Sequence, residues 1–274
     1  MKTLKDQLKR LRGISIGQTN DIIERLTRIE AKVDSSHCSD DGKIHRNLGH
    51  EDQLFGGRTF SQHGEDLVVA SVFRQLKIEK PDYLDIGAHH PFNISNTALL
   101  YSMGSRGINI EANPSLFDEF VRARPDDINI NIGVSDHEGS LDFYMIDEHS
   151  GRNTFSREAA ESFVREYPAF SIQETRKIPV TTISSILANY YDEKCPLFLS
   201  VDAEGFDYRI LKSMDFSKYR PAVICAEIVF AGEKGEANEI ISLLKTSDYF
   251  IYYLSCGNIL FVDLQYRKIL NPWE

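Results

Sequence analysis

Acidic residues follow five short apolar runs along this 274-residue chain. Tyr83-Leu84-Asp85-Ile86 leads into Gly87-Ala88, and Ile108-Asn109-Ile110 into Glu111-Ala112. The run 128–134 leads into Ser135-Asp136, and the run 197–201 into Asp202-Ala203-Glu204-Gly205. Ile224-Cys225-Ala226 is followed by Glu227. Each run has the length and apolar content of a buried strand. In an open parallel sheet, ligands bind beyond the carboxyl ends of the strands. Five successive strands would therefore present acids at one edge, where random placement would scatter them over both.

A cationic ligand suits such an edge, and S-adenosylmethionine matches it group by group. It carries a positive sulfur, an ammonium group, a ribose diol and an adenine. Glu111 is placed to accept from both ribose hydroxyls. Ser135 and Asp136 would meet the adenine edge, and Asp85 the ammonium, directly or through water. Gly87 has no Cβ, so backbone can approach the ligand there. Gln62, Ala88, Asn96, Ala112 and Asp202 complete the predicted donor-binding set. A pyrophosphate clasp needs G-x-G-x-x-G after the first strand. Here that loop reads Gly87-Ala88-His89-His90-Pro91-Phe92-Asn93. An NAD-dependent oxidoreductase on the same kind of sheet is therefore the weaker alternative. A non-catalytic assembly factor that kept the pocket is a third.

Methyl transfer to a hydroxyl needs the proton removed from a poor nucleophile. Asp202 or Glu204 would act as base, or Asp202, Glu204 and Glu227 would hold Mg2+ or Mn2+, which lowers the hydroxyl pKa. His89 and His90 are the other candidates, because imidazole titrates near neutral pH. In Ser61–Asp66, Gln62, Glu65 and Asp66 either line a lid over the donor, or Ser61 caps the next helix with Glu65 and Asp66 on its dipole. Acceptor recognition is expected in 147–167, where Arg152 would pair with a phosphate or stay solvated.

The elements that must position these residues alternate. Helices are predicted at 60–76, 95–103, 114–121, 157–167, 183–190, 206–213 and 236–245. Strands are predicted at 83–87, 107–112, 128–134, 141–146, 178–181, 197–201 and 222–229. Two more, at 250–254 and 259–264, flank the tight turn Ser255-Cys256-Gly257-Asn258 and form an antiparallel hairpin. The expectation is an α/β fold with a Rossmann-like, mostly parallel sheet and one antiparallel strand from that hairpin. This is the class I methyltransferase layout. Residues 1–34 read as an N-terminal helix, with Ile22, Leu26, Ile29 and Val33 on an a/d seam suited to a homo-oligomer, a partner helix or its own domain. Residues 35–58 read as a linker, and 59–274 as the catalytic domain.

The net charge of −10 argues against indiscriminate nucleic-acid binding. No apolar run nears the roughly 20 residues of a membrane helix. The start lacks the apolar core of a secretory signal. The four cysteines form no C-x-x-C pair and read as reduced thiols. The expected compartment is the cytoplasm.

Five motifs in this order resemble the FkbM family of S-adenosylmethionine-dependent O-methyltransferases. They are S-Q-H-G-E-D at 61–66, D-I-G-A at 85–88, E-A-N-P at 111–114, G-V-S-D at 133–136 and S-V-D-A-E-G-F-D at 200–207. The resemblance covers about residues 59–264. It implies methyl transfer to a hydroxyl of a small-molecule or sugar acceptor, such as a nucleotide-linked sugar or glycan precursor in polysaccharide biosynthesis. The loop His89-His90-Pro91 departs from the Asn and later Gly of many members.

Overall fold

The structure, a computed structural model, describes residues 59–148, 150–192, 194–228 and 235–271. The predicted N-terminal helix and the linker 35–58 lie outside these residues.

Helix α1 (Glu65–Gln75) leads to β1 (Tyr83–Ile86), α2 (Ala98–Ser102), β2 (Gly107–Ile110), α3 (Pro114–Ala123) and β3 (Ile128–Ile130). Then come β4 (Gly133–Ser135), β5 (Gly139–Met145), α4 (Arg157–Glu166), β6 (Glu174–Thr182) and α5 (Ile183–Tyr190). The chain continues through β7 (Phe198–Val201), α6 (Asp207–Lys212), β8 (Val223–Glu227), α7 (Gly235–Thr246), β9 (Tyr249–Leu254) and β10 (Asn258–Asp263). A 3-10 turn (Leu264–Tyr266) and α8 (Arg267–Leu270) follow.

Seven strands form one sheet in the order β3-β2-β1-β7-β8-β10-β9. The first five are parallel, and β10 runs antiparallel between β8 and β9. The α/β class and the antiparallel hairpin strand agree with the sequence reading. All four residues of β1 and of β7 are buried, because helices cover both faces of a parallel sheet. Leu84, Ile86, Leu199 and Val201 pack on one face, and Tyr83, Phe198 and Val223 on the other. Each such side chain contributes roughly 1.5–3 kcal/mol by leaving water. Asp85 lies on the Tyr83 face, in register with Asn109 on β2 and Ser200 on β7.

The predicted strand 128–134 is two strands. Its first part pairs with β2, and its second joins a three-stranded sheet, β4-β6-β5. The break falls at Asn131-Ile132, where the Asn131 amide donates to the carbonyls of Glu111 and Ala112 (2.7 and 3.1 Å). The first helix starts five residues later than predicted. The Asp66 carboxylate gathers Thr59 Oγ1, the Phe60 N–H and Ser61 Oγ into a turn instead. Helix α3 starts as its sequence suggests, with Pro114 in the first turn and Asn113 Oδ1 accepting from the Ser115 N–H (3.1 Å).

Among the described residues no helix is long and apolar enough to cross a membrane. Of the cysteines described, Cys225 is buried, Cys195 half-buried and Cys256 exposed, all as free thiols.

Candidate active site

A cavity of about 250 Å3 opens at the carboxyl ends of β1, β2, β7 and β8. One side is polar, with Asp85, Glu111, Asp202, Glu204 and Glu227. The other is apolar, with Leu116, Ile132, Val134, Phe143 and Phe155.

Glu111 is anchored at both oxygens. Oε2 accepts from the His89 N–H (2.8 Å) and Oε1 from the Asn113 N–H (2.7 Å). Burial pushes this carboxyl up to about 7, against those two hydrogen bonds. A carboxyl with a raised folded-state pKa binds its proton more tightly when folded. Its stabilisation is complete below its ordinary value of 4.5 and is lost as pH rises toward 7. The stability of wild type relative to Glu111→Gln should therefore fall by on the order of 3 kcal/mol between pH 4.5 and 7. Urea unfolding of both proteins across that range reads the change, and a pH-independent difference would show that burial does not control this group.

Asp85 is buried, and Thr97 Oγ1 donates to its Oδ2 (2.6 Å). Burial raises its pKa, while the Thr97 hydrogen bond and the Arg124 charge pull it down. Behind Thr97 lies a network that the sequence did not reveal. Arg124 is fully buried and donates to Thr97 Oγ1 (3.0 Å), to the Tyr83 hydroxyl (2.7 Å) and to Asp127 (2.9 Å). A buried guanidinium needs a carboxylate partner, and Asp127 supplies it. Arg124 and Thr97 thus fix the orientation of Asp85 from α3 and the start of α2. No spacing links positions 85, 97, 124 and 127 in a recognisable motif.

Gly87 (φ 74°) lines the cavity and also meets a packing requirement. A Cβ there would overlap the backbone carbonyl oxygen of Asp202. The glycine lets the ends of β1 and β7 close on each other. The Asp202 N–H meanwhile donates to the Ile86 carbonyl (3.0 Å), so the loop after β7 is tied to β1.

Asp202, Glu204 and Glu227 converge, with one carboxylate oxygen from each within 4.8 Å of the others. Asp202 and Glu204 come from the loop after β7, and Glu227 from the end of β8. Glu204 adopts a left-handed backbone (φ 47°), rare for a residue with a side chain. Thr154 Oγ1 donates to its carbonyl (2.7 Å), and Asp207 accepts from the N–H groups of Ala203 and Gly205 (3.2 and 3.3 Å). Arg152 reaches in from the loop after β5 and pairs with Glu204 (3.3 Å). Arg152, read as a phosphate partner or a solvated side chain, is half exposed and pairs with a carboxylate of the protein. Burial and mutual repulsion push Asp202 up to about 6 and Glu204 to about 8, and Glu227 rises well above its ordinary value. Three such neighbours cannot all ionise together.

The remaining predicted residues divide. Gln62, Ala88, Asn96, Ala112 and His89 line the cavity. Asn96 Nδ2 donates to Ser200 Oγ (3.2 Å). His89 sits at φ 55°, which aims its N–H at Glu111. His90 does not line the cavity. Its Nδ1 accepts from the N–H groups of Phe92 and Asn93 (3.1 and 2.9 Å), and its Nε2 lies 3.2 Å from Glu119. The imidazole holds the loop together, so it is corrected from base to structural residue. Ser135 and Asp136 do not line the cavity, although Gly133 and Val134 of the same strand do. The Asp136 carboxylate is bound by His137 and Arg209 and is held down at about 2. In the 61–66 segment only Gln62 lines the cavity. Glu65 is buried, accepting from the His63 N–H, Ser255 and Asn258.

The chain was compared with known proteins. A family model described as the methyltransferase FkbM domain matches residues 85–259. A solved structure of methyltransferase FkbM from Methylobacillus flagellatus KT is similar at 14% identity and TM-score 0.43, over 67% of this chain and 44% of that one. This chain thus spans less than half the length of that relative. Precorrin-6y C5,15-methyltransferase from Geobacter metallireducens GS-15 is similar at 13% identity and TM-score 0.35, over 72% of this chain and 87% of that one. TehB from Haemophilus influenzae is similar at 10% identity and TM-score 0.39, over 77% of this chain and 65% of that one. No curated protein matches. The match over residues 85–259 takes in all five carboxylates that face the cavity, and the chain belongs to the FkbM methyltransferase family.

Proposed function

We propose that this methyltransferase moves a methyl group from S-adenosylmethionine to a hydroxyl of a sugar or glycan precursor. The observation that carries the reading is Glu111 on the cavity wall. Each of its oxygens takes one backbone N–H, which leaves lone pairs for a vicinal diol. The donor would supply an electrophilic methyl on a sulfonium. Glu111 would hold its ribose, Asp85 its ammonium, and Phe143, Leu116 and Val134 would border its adenine. None of these groups fits a pyrophosphate, which weakens the oxidoreductase alternative. An intact acidic cluster beside the donor pocket weakens the assembly-factor alternative.

Asp202 is the base in this reading. It follows β7 on the cavity wall, and burial raises its pKa to about 6, a range suited to a general base near neutral pH. It would accept the acceptor's hydroxyl proton as the oxygen aligns with the methyl carbon. Positioning of the two reactants supplies a large share of the rate. A second reading rests on one atom: Glu227 Oε2 is buried with no hydrogen-bond partner. A Mg2+ or Mn2+ bound by Asp202, Glu204 and Glu227 would satisfy it and acidify the hydroxyl.

The test is a product screen with the full chain, methyl-labelled S-adenosylmethionine, and free and nucleotide-linked sugars, with and without EDTA. Label is expected on oxygen, unaffected by EDTA if Asp202 alone removes the proton. Loss on chelation and recovery with Mn2+ would select the metal reading. Label on nitrogen or carbon, or calorimetric binding of NAD in place of S-adenosylmethionine, would overturn the assignment.

A further inference from the structure

Beside the cavity, three aromatic rings lie together with no part in the donor site. Phe163 on α4 packs against Tyr167 and Phe170, with ring centroids 4.9 and 5.4 Å apart. Tyr167 and Phe170 remain 46% and 45% exposed. The cluster is continuous with the candidate active site through one side chain. The Arg152 guanidinium reaches Glu204 at 3.3 Å and lies over the Phe163 ring at 5.9 Å. Helix α4 itself begins at Ser156, directly after the cavity residues Thr154 and Phe155.

Exposed ring faces grouped beside a catalytic pocket mark a binding surface. Two features decide its ligand. Among the described residues the cavity presents five carboxyl groups, and Arg152, the guanidinium that lines it, is already paired with Glu204. An anionic acceptor would have to displace Glu204 from Arg152 to find a guanidinium there. The carboxylates accept hydrogen bonds from hydroxyls, while the rings offer flat apolar faces. A pyranose carries both complements, hydroxyls at its edge and C–H groups on its face.

Resting on the methyltransferase reading above, we propose that the acceptor is an uncharged oligosaccharide. Its reacting residue enters the cavity, and a further residue stacks on a platform of Phe163, Tyr167 and Phe170. This excludes phosphorylated and nucleotide-linked acceptors and deepens the reading from sugar in general to a neutral glycan.

The full chain would be screened on an immobilised panel of neutral, sulfated and phosphorylated oligosaccharides. Wild type is expected to bind neutral glycans of two or more residues. The double variant Tyr167→Ala, Phe170→Ala should weaken that binding at least tenfold, and Tyr167→Phe should restore most of it alongside intact Phe170. Donor affinity, measured by calorimetry on the same preparations, should not change in either variant, and thermal unfolding should confirm that both fold. Binding confined to sulfated or phosphorylated glycans, equal binding by the double variant, or no glycan binding at all would overturn the platform. Loss of donor binding in wild type, with glycan binding kept, would instead sink the methyltransferase reading alone.

Discussion

Asp202→Asn is expected to slow methyl transfer about a thousandfold, within the range a positioned general base contributes. The substitution keeps the size of the side chain and its place after β7. It removes the carboxylate assigned as base, whose pKa burial raises to about 6. Donor binding should stay within a few-fold of wild type, since Glu111 and Asp85 are untouched. Stability should hold or rise, because a member of a repelling cluster is gone. Glu204→Gln is the comparison. Glu204 is tied to Arg152 and is not assigned the proton transfer, so the loss should stay within about tenfold. Single-turnover rates with labelled donor at saturating acceptor separate chemistry from release. Equal rates for wild type and Asp202→Asn would remove Asp202 from the proton transfer.

Gly87→Ala is expected to destabilise the protein by more than about 4 kcal/mol and to abolish donor binding. The new methyl would meet the Asp202 carbonyl oxygen, a backbone atom that cannot rotate away. Relief requires the ends of β1 and β7 to part, which breaks the hydrogen bond from the Asp202 N–H to the Ile86 carbonyl. Gly64→Ala isolates the conformational part of the cost. Gly64 has φ 85°, and a Cβ there meets nothing within 4 Å. It should lose only the left-handed penalty of about 1–2 kcal/mol. Urea midpoints of the two variants give the comparison, and similar midpoints would mean that β1 and β7 are not held this close.

Much of this protein was legible in its residue order. Strands such as Phe198–Val201 are apolar throughout because both their faces are covered, and that is a local property of the chain. The antiparallel hairpin was announced by the turn Ser255–Asn258 between two apolar runs. The acids that close β1, β2, β7 and β8 were found because a parallel sheet brings all its carboxyl ends to one edge. That rule needs only the strand positions. Pairing partners, by contrast, are a property of the whole fold. Residues 128–134 read as one apolar run, yet Ile130 and Gly133 belong to different sheets, and Val134 lines the cavity while Ser135 and Asp136 do not. His90 and His89 are neighbours in sequence, but a left-handed backbone at His89 turns one toward Glu111 and leaves the other bracing the loop. Gly87 and Asp202, or Asp85 and Arg124, act together across many residues of chain. Their contacts exist only once tertiary packing has removed the space between them, because short-range repulsion and buried-charge pairing depend on distance in space.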